Sequence, residues 1–205
     1  MPSPFGHALG AVAVGWAIAR PATGRRALGL QVAALAALGT ASDLDLLWGR
    51  HSQETHSLGA ALIAAVAALA VRTVTEGSYG KRLAVRTANA GSYEHSWFAR
   101  TLGVRTTAAT FLLVAAVWFS HPLMDAFGAD SSPPLGVMLF WPFSHDFWIA
   151  PFALFDAISR MWWRDDVWTH NFAAAGREVL LLAPVVALVW WTRRQRGLTV
   201  RSSSN

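Results

Sequence analysis

Residues 106–127 read TTAATFLLVAAVWFSHPLMDAF, and this stretch decides the fold class. Its first fifteen residues carry no ionisable side chain. As a helix, 22 residues rise about 33 Å, enough to cross a hydrocarbon layer of about 30 Å. Four other apolar stretches lie at residues 5–19, 27–47, 57–71 and 179–191. The second of the five, 27–47, also meets the length that a membrane crossing needs. The first, third and fifth are short, and rich in the Ala and Gly that let helices approach closely in lipid. The expectation is an all-α, polytopic membrane helical bundle of about five transmembrane helices.

Composition agrees. Apolar residues make up 54% of the 205-residue chain and charged residues 14%, where a soluble domain carries about 25%. Cysteine is absent, which excludes disulfides, thiolate ligands and cysteine nucleophiles. The apolar segment 135–158 is broken by Pro142 and Pro151 and interrupted by Ser144, His145 and Asp146. It reads as re-entrant or interfacial rather than as another crossing. Trp162 and Trp163 beside Arg164 look like an interfacial anchor. Residues 1–192 read as one membrane-embedded domain, and 193–205 as a basic cytoplasmic tail without fixed structure.

Five crossings sort the connecting segments into two sets. One set holds thirteen basic residues and two acids; the other holds four basic residues and ten acids. The positive-inside rule puts the basic set in the cytoplasm. The chain is therefore expected in the inner (plasma) membrane, with the N-terminus outside and the C-terminus inside. The net charge of +5 then marks topology rather than a nucleic-acid partner.

The same topology gathers His7, His51, His56, His121, His145 and His170 at the outer face, and leaves only His95 inside. His121 and Asp125 are four apart, on one face of a helix. Asp43 and Asp45 fall at a helix C-terminal end, where negative charge is unfavourable unless a cation balances it. His51 and His56 lead into the third span, one in the loop and one in the first helical turn, with Thr55 or Ser57 as cap. His7 sits at the mouth of the first span. Glu178 opens the fifth, as a group that could support the site from behind.

Mixed His and Asp ligation suits zinc, with manganese or iron as further candidates. His7, Asp43, Asp45, His56, His121 and Asp125 are the expected metal ligands, for one or two ions. Asp45 is also a bridging ligand or general base, and His51 a ligand or general acid. At headgroup depth, the natural partners are membrane lipids, and the natural substrate a phosphoester of a lipid or lipid-linked molecule. The alternatives are a structural or regulatory membrane protein, or a metal or proton transporter, built on the same cluster. A transporter would continue its polar residues through the spans, whose inner halves are mostly Ala, Leu and Val.

The small-residue run around His7, the Asp43-Leu44-Asp45 pair, His51 with Thr55-His56-Ser57-Leu58, and His121-Pro-Leu-Met-Asp125 together resemble the YdjM-like family. Gly136 and Trp141-Pro-Phe-Ser144 extend the resemblance, which covers about residues 1–150. It implies a bacterial inner-membrane protein of a family described as metal-dependent hydrolases, one member being under LexA control. Ser52 and Gln53 stand where that family usually has Arg and Gly. The His-x-x-x-Asp element is also distantly similar to zinc-dependent phospholipases C and single-strand-specific zinc nucleases. Their further His-x-x-x-Glu element has no counterpart in this chain.

Overall fold

The computed structural model describes residues 1–49, 51–84, 97–131 and 133–202. Six α-helices follow in order: α1 (Pro4–Ile18), α2 (Arg25–Thr40), α3 (Leu58–Ala84), α4 (Trp97–Leu102), α5 (Thr107–Ala126) and α6 (Val167–Ser202). A 3₁₀ helix, Ala41–Trp48, continues α2. The described residues contain no strand beyond two isolated bridges. His95, read as the one histidine on the inner side, lies outside the described residues.

Four helical segments are long and apolar enough to cross a membrane: Arg25–Leu47, Leu58–Glu76, Thr107–Ala126 and Val167–Gln195. The helix at Pro4–Ile18 is apolar but shorter. The protein is thus an all-helical membrane protein with four such segments and a short fifth helix, α1, packed among them. Leu180 is 78% exposed, Ile63 61% and Leu112 59%. Outward side chains of this kind, repeated along the helices, make a surface suited to lipid.

α1 occupies the middle of the bundle, against α2, α5 and α6. Ser3 caps it by accepting from the Gly6 N–H (3.1 Å), and Pro4 opens its first turn. Its small residues permit the close approach. A Cβ on Gly15 would sit 2.6 Å from the Leu35 side chain of α2. Ala11, Leu35, Ala65, Leu113 and Val117 form the buried core at this level.

α6 begins twelve residues before the expected start of the fifth span at 179. Asn171, Arg177 and Glu178 lower the hydropathy of residues 167–178. Two of them turn toward the protein: Glu178 is wholly buried against Ser3, and Asn171 binds the backbone of Ser159. α6 also continues to Ser202, and so takes in most of the basic segment after 192.

Between α5 and α6 the described chain has neither helix nor sheet. Segment 135–158 does not cross the bundle; it lies over the end that carries the histidines. Leu58 and Gly59, opening α3, donate their N–H groups to the carbonyls of Leu139 and Trp141 (both 2.9 Å). Ala150 donates to the carbonyl of Ala126 at the end of α5 (2.7 Å). Helix termini leave such groups unpaired, and this segment satisfies them with backbone.

Buried polar groups also occur at the opposite end, which the sequence shows as mostly Ala, Leu and Val. Gln31 accepts from Trp16 and Ala22 and donates to the carbonyls of Arg20 and Leu102. Arg72 binds Glu76, Thr110 and the Arg105 carbonyl. Both networks are satisfied locally, and the apolar core at Leu35, Leu113 and Val117 lies between them and the histidines.

Candidate metal centre

The 3₁₀ helix sets the orientation of the two aspartates. At about three residues per turn, side chains two positions apart diverge by about 120°. Asp43 and Asp45 therefore face different sides of one imidazole. Asp43 Oδ1 lies 3.5 Å from His56 Nε2, and Asp45 Oδ2 lies 3.1 Å from His56 Nδ1.

His56 itself precedes α3 rather than sitting in its first turn. Ser57 is the cap, accepting from the Ala60 N–H (3.0 Å), whereas the Thr55 hydroxyl donates to Asp45. Trp118 of α5 donates to the Thr55 carbonyl and ties this loop to the bundle.

His121 projects from α5 one turn before Asp125. Its Nδ1 lies 2.7 Å from the Gly39 carbonyl. A carbonyl only accepts, so Nδ1 carries the hydrogen and the neutral ring keeps its lone pair on Nε2. The same logic holds for His56. Its Nδ1–H donates to the Asp45 carboxylate, with Thr55 Oγ1 3.0 Å away. Its Nε2 lone pair is then free.

These two Nε2 atoms stand 3.2 Å apart. Asp125 Oδ2 is 3.2 Å from His121 Nε2 and 3.5 Å from His56 Nε2. Asp43 Oδ1 is 3.4 Å from His121 Nε2. Two histidine nitrogens thus meet, and each of two carboxylate oxygens approaches both of them, from the 3₁₀ helix, the loop before α3, and α5. Ligand atoms placed tetrahedrally about 2.0–2.1 Å from a zinc ion lie about 3.3 Å from one another. Five of the six separations among these donors, all but that between Asp43 and Asp125, are 3.2–3.5 Å and match that edge length.

His7 stacks on His121, with ring centroids 3.6 Å apart and planes 12° off parallel. Its Nε2 lies 3.3 Å from the other oxygen of Asp125. His51 reaches Asp45 Oδ1 at 3.2 Å and Asp43 Oδ1 at 3.7 Å. All seven site residues expected from sequence therefore meet in one cluster. His7, Asp45, His56, His121 and Asp125 are buried, while Asp43 and His51 are partly exposed and mark the open side.

The groups fit a divalent cation. Three overlapping sets are close enough to hold one: His7, His121 and Asp125; Asp43, His56 and His121; and Asp45, His51 and His56. Asp125 Oδ2 is buried and finds no hydrogen bond, which is costly for a carboxylate unless a cation or a proton faces it. Burial opposes a proton on His56, but the carboxylates of Asp43 and Asp45 outweigh it and hold its pKa above the ordinary histidine value. A neutral imidazole has one lone pair, so His56 serves one set at a time. With Nδ1–H committed to Asp45, that set is the one on its Nε2 side.

The model of the YdjM inner membrane protein family matches residues 1–198. The chain belongs to the YdjM inner membrane protein family. The match runs past the motifs of residues 1–150 into α6, which supplies Glu178 and Asn171. No curated protein and no solved structure matches the chain.

Sequence reasoning missed two contributors. The Gly39 carbonyl is backbone and leaves no trace in residue type. Arg160 donates to His51 Nε2 (3.1 Å) but read only as one of the few basic residues on its side. Glu178, expected as a supporting group, lies behind the cap of α1, where Ser3 donates to it from both its N–H (2.6 Å) and its hydroxyl. His145 and Asp146 are exposed and belong to none of the three sets.

Proposed function

We propose that this YdjM-family protein is a membrane-embedded, metal-dependent hydrolase acting on a phosphoester of a lipid or lipid-linked molecule. The carrying observation is the confrontation of His56 Nε2 and His121 Nε2, whose Nδ1 atoms are both held by acceptors behind them. A proton between the two rings would serve one pair of the four converging donors; a cation serves all four. In this reading Asp43, His56, His121 and Asp125 hold one divalent ion, zinc first. Paired acceptors on the far nitrogens of metal-binding histidines are the usual way such rings are oriented.

A bound divalent cation would supply Lewis acidity toward a phosphoryl oxygen and acidify water in the site. The surrounding residues have separate tasks. Asp45 is fully engaged, by His51 on one oxygen and by His56 and Thr55 on the other. It therefore orients the two histidines rather than acting as base. His7 holds the outer oxygen of Asp125. His51, on the open side, is the histidine placed to exchange protons with a substrate. In the same reading, which the distribution of basic residues supports, this end faces outward from the inner membrane and the C-terminus is cytoplasmic.

The test is elemental analysis of detergent-purified protein, followed by assay of phosphate or headgroup release from a panel of lipids. About one equivalent of zinc with release from one lipid class is expected. Metal without release from any class would leave the centre a structural one.

A further inference from the structure

Beside the cluster a cleft of about 610 Å³ opens between the loop after the 3₁₀ helix and the segment before α6. Its walls include His51, Arg160, Arg164, His170, Asp130 and Asp166. The two arginines differ in their partners. Arg164 gives two N–H groups to Asp166 (3.0 and 2.9 Å), and the pair neutralises itself. Asp130 accepts the N–H of Gly136 (2.9 Å). Arg160 makes no ion pair with a carboxylate among the described residues; its guanidinium donates to the neutral acceptor His51 Nε2.

Arg160 is also firmly presented. The side-chain amide of Asn171 in α6 accepts from the Ser159 N–H (2.8 Å) and donates to the Ser159 carbonyl (2.9 Å). This two-way clamp fixes the backbone immediately before Arg160. His170, one residue from Asn171, meets the Ala157 carbonyl at 2.7 Å. The run from 157 to 160 is thus tied to α6, and its arginine meets the histidine that touches Asp43 and Asp45. Next to the cleft lies apolar surface: Trp162 is 75% exposed and Trp163 66%.

We infer that this cleft is an anion subsite, in which Arg160 anchors the phosphate of an amphiphilic phosphoester one imidazole away from the metal cluster. A planar guanidinium with N–H groups to spare suits bidentate recognition of phosphate. The tryptophans beyond it suit the apolar part of the same molecule, since Trp settles at the boundary between headgroup and acyl chain. The inference rests on the hydrolase reading for its catalytic meaning but not for binding itself.

The test is calorimetric binding of dihexanoyl phosphatidic acid, dihexanoyl phosphatidylcholine and inorganic phosphate to detergent-purified full-length protein, with metal content measured on the same samples. Wild type is expected to bind phosphatidic acid more tightly than inorganic phosphate. Arg160→Gln should weaken that binding about tenfold, with metal content and melting temperature unchanged. Arg160→Lys should retain part of it, and Arg164→Gln nearly all. Unchanged binding in Arg160→Gln overturns the subsite. Inorganic phosphate binding as tightly as phosphatidic acid overturns the amphiphile and assigns the anchor to a free anion. Phosphatidylcholine binding equally, with no loss in Arg160→Gln, assigns the cleft to apolar contact and overturns the anion reading. Arg160-dependent binding in protein that holds no metal would uphold the subsite while the hydrolase reading fails.

Discussion

His56 Nε2 and His121 Nε2 face each other at 3.2 Å, across the junction of the α3 entry loop and α5. Each ring has its other nitrogen spent, on Asp45 and on the Gly39 carbonyl respectively. Two lone pairs pointed at each other repel, so the arrangement is stable only with a positive charge between them. Asp43 and Asp125 each bring a carboxylate oxygen to within 3.5 Å of both nitrogens, which favours a divalent charge there.

Asp125 and Asp45 should therefore behave differently when neutralised. Asp125→Asn removes a direct donor, and His121→Ala another; each should leave purified protein with far less than one equivalent of metal. Asp45→Asn removes only an orienting acceptor and should weaken affinity about 10–100-fold, so that the variant still loads at high metal concentration. Competition with a chelator of known affinity separates the two. If Asp45→Asn cannot be loaded at all, Asp45 is itself a ligand.

Metal affinity should fall as pH is lowered. The proton that Asp43 and Asp45 favour on His56 must leave before its nitrogen can ligate. Below the raised pKa, each pH unit should cost up to about tenfold in apparent affinity, one proton being displaced. Metal-free protein should show the opposite trend in stability. A histidine whose pKa is raised on folding stabilises the fold below its unfolded value, about 6.5, and loses that contribution as pH rises through the folded value. Melting curves with and without a chelator, across this range, check both signs.

The cluster was legible because its residues are expensive to place in apolar surroundings. His121 and Asp125 on one helical face, and two aspartates at a helix end, need a reason that sequence alone can demand. What separates Asp43 from Asp45 was not legible, because it depends on α2 tightening into a 3₁₀ helix. The start of α6 was hidden for a related reason. Asn171 and Glu178 lower the hydropathy of residues 167–178, yet their partners, Ser159 and Ser3, come from other parts of the chain. Hydropathy records that a polar group is present, not that a neighbour satisfies it.

Gln31, at the opposite end of the bundle, gives a control for stability without function. Its side chain joins Trp16, Arg20, Ala22 and Leu102. Gln31→Leu should strand several of these partners and cost about 1–3 kcal/mol for a buried group left unpaired. Metal content in the folded fraction should stay at the wild-type level. Thermal unfolding and elemental analysis on one preparation decide it; loss of metal in folded Gln31→Leu would mean that the two ends are coupled.

Glu178 should link stability to the centre. Its carboxylate holds the Ser3 N–H and hydroxyl, and Ser3 in turn caps the helix that carries His7. The fit is tight on both sides: a Cβ on Gly6 would lie 2.6 Å from Glu178 Oε2. Glu178→Ala leaves the Ser3 donors buried without an acceptor, at a cost of about 1–3 kcal/mol, and frees the start of α1 to shift. His7 would then lose its register against His121 and Asp125, so metal affinity should fall along with the melting temperature. Glu178→Gln keeps an acceptor oxygen of the same reach and should recover most of both. A glutamine variant that regains stability but not metal affinity would mean that the charge of Glu178, rather than its hold on Ser3, acts on the centre.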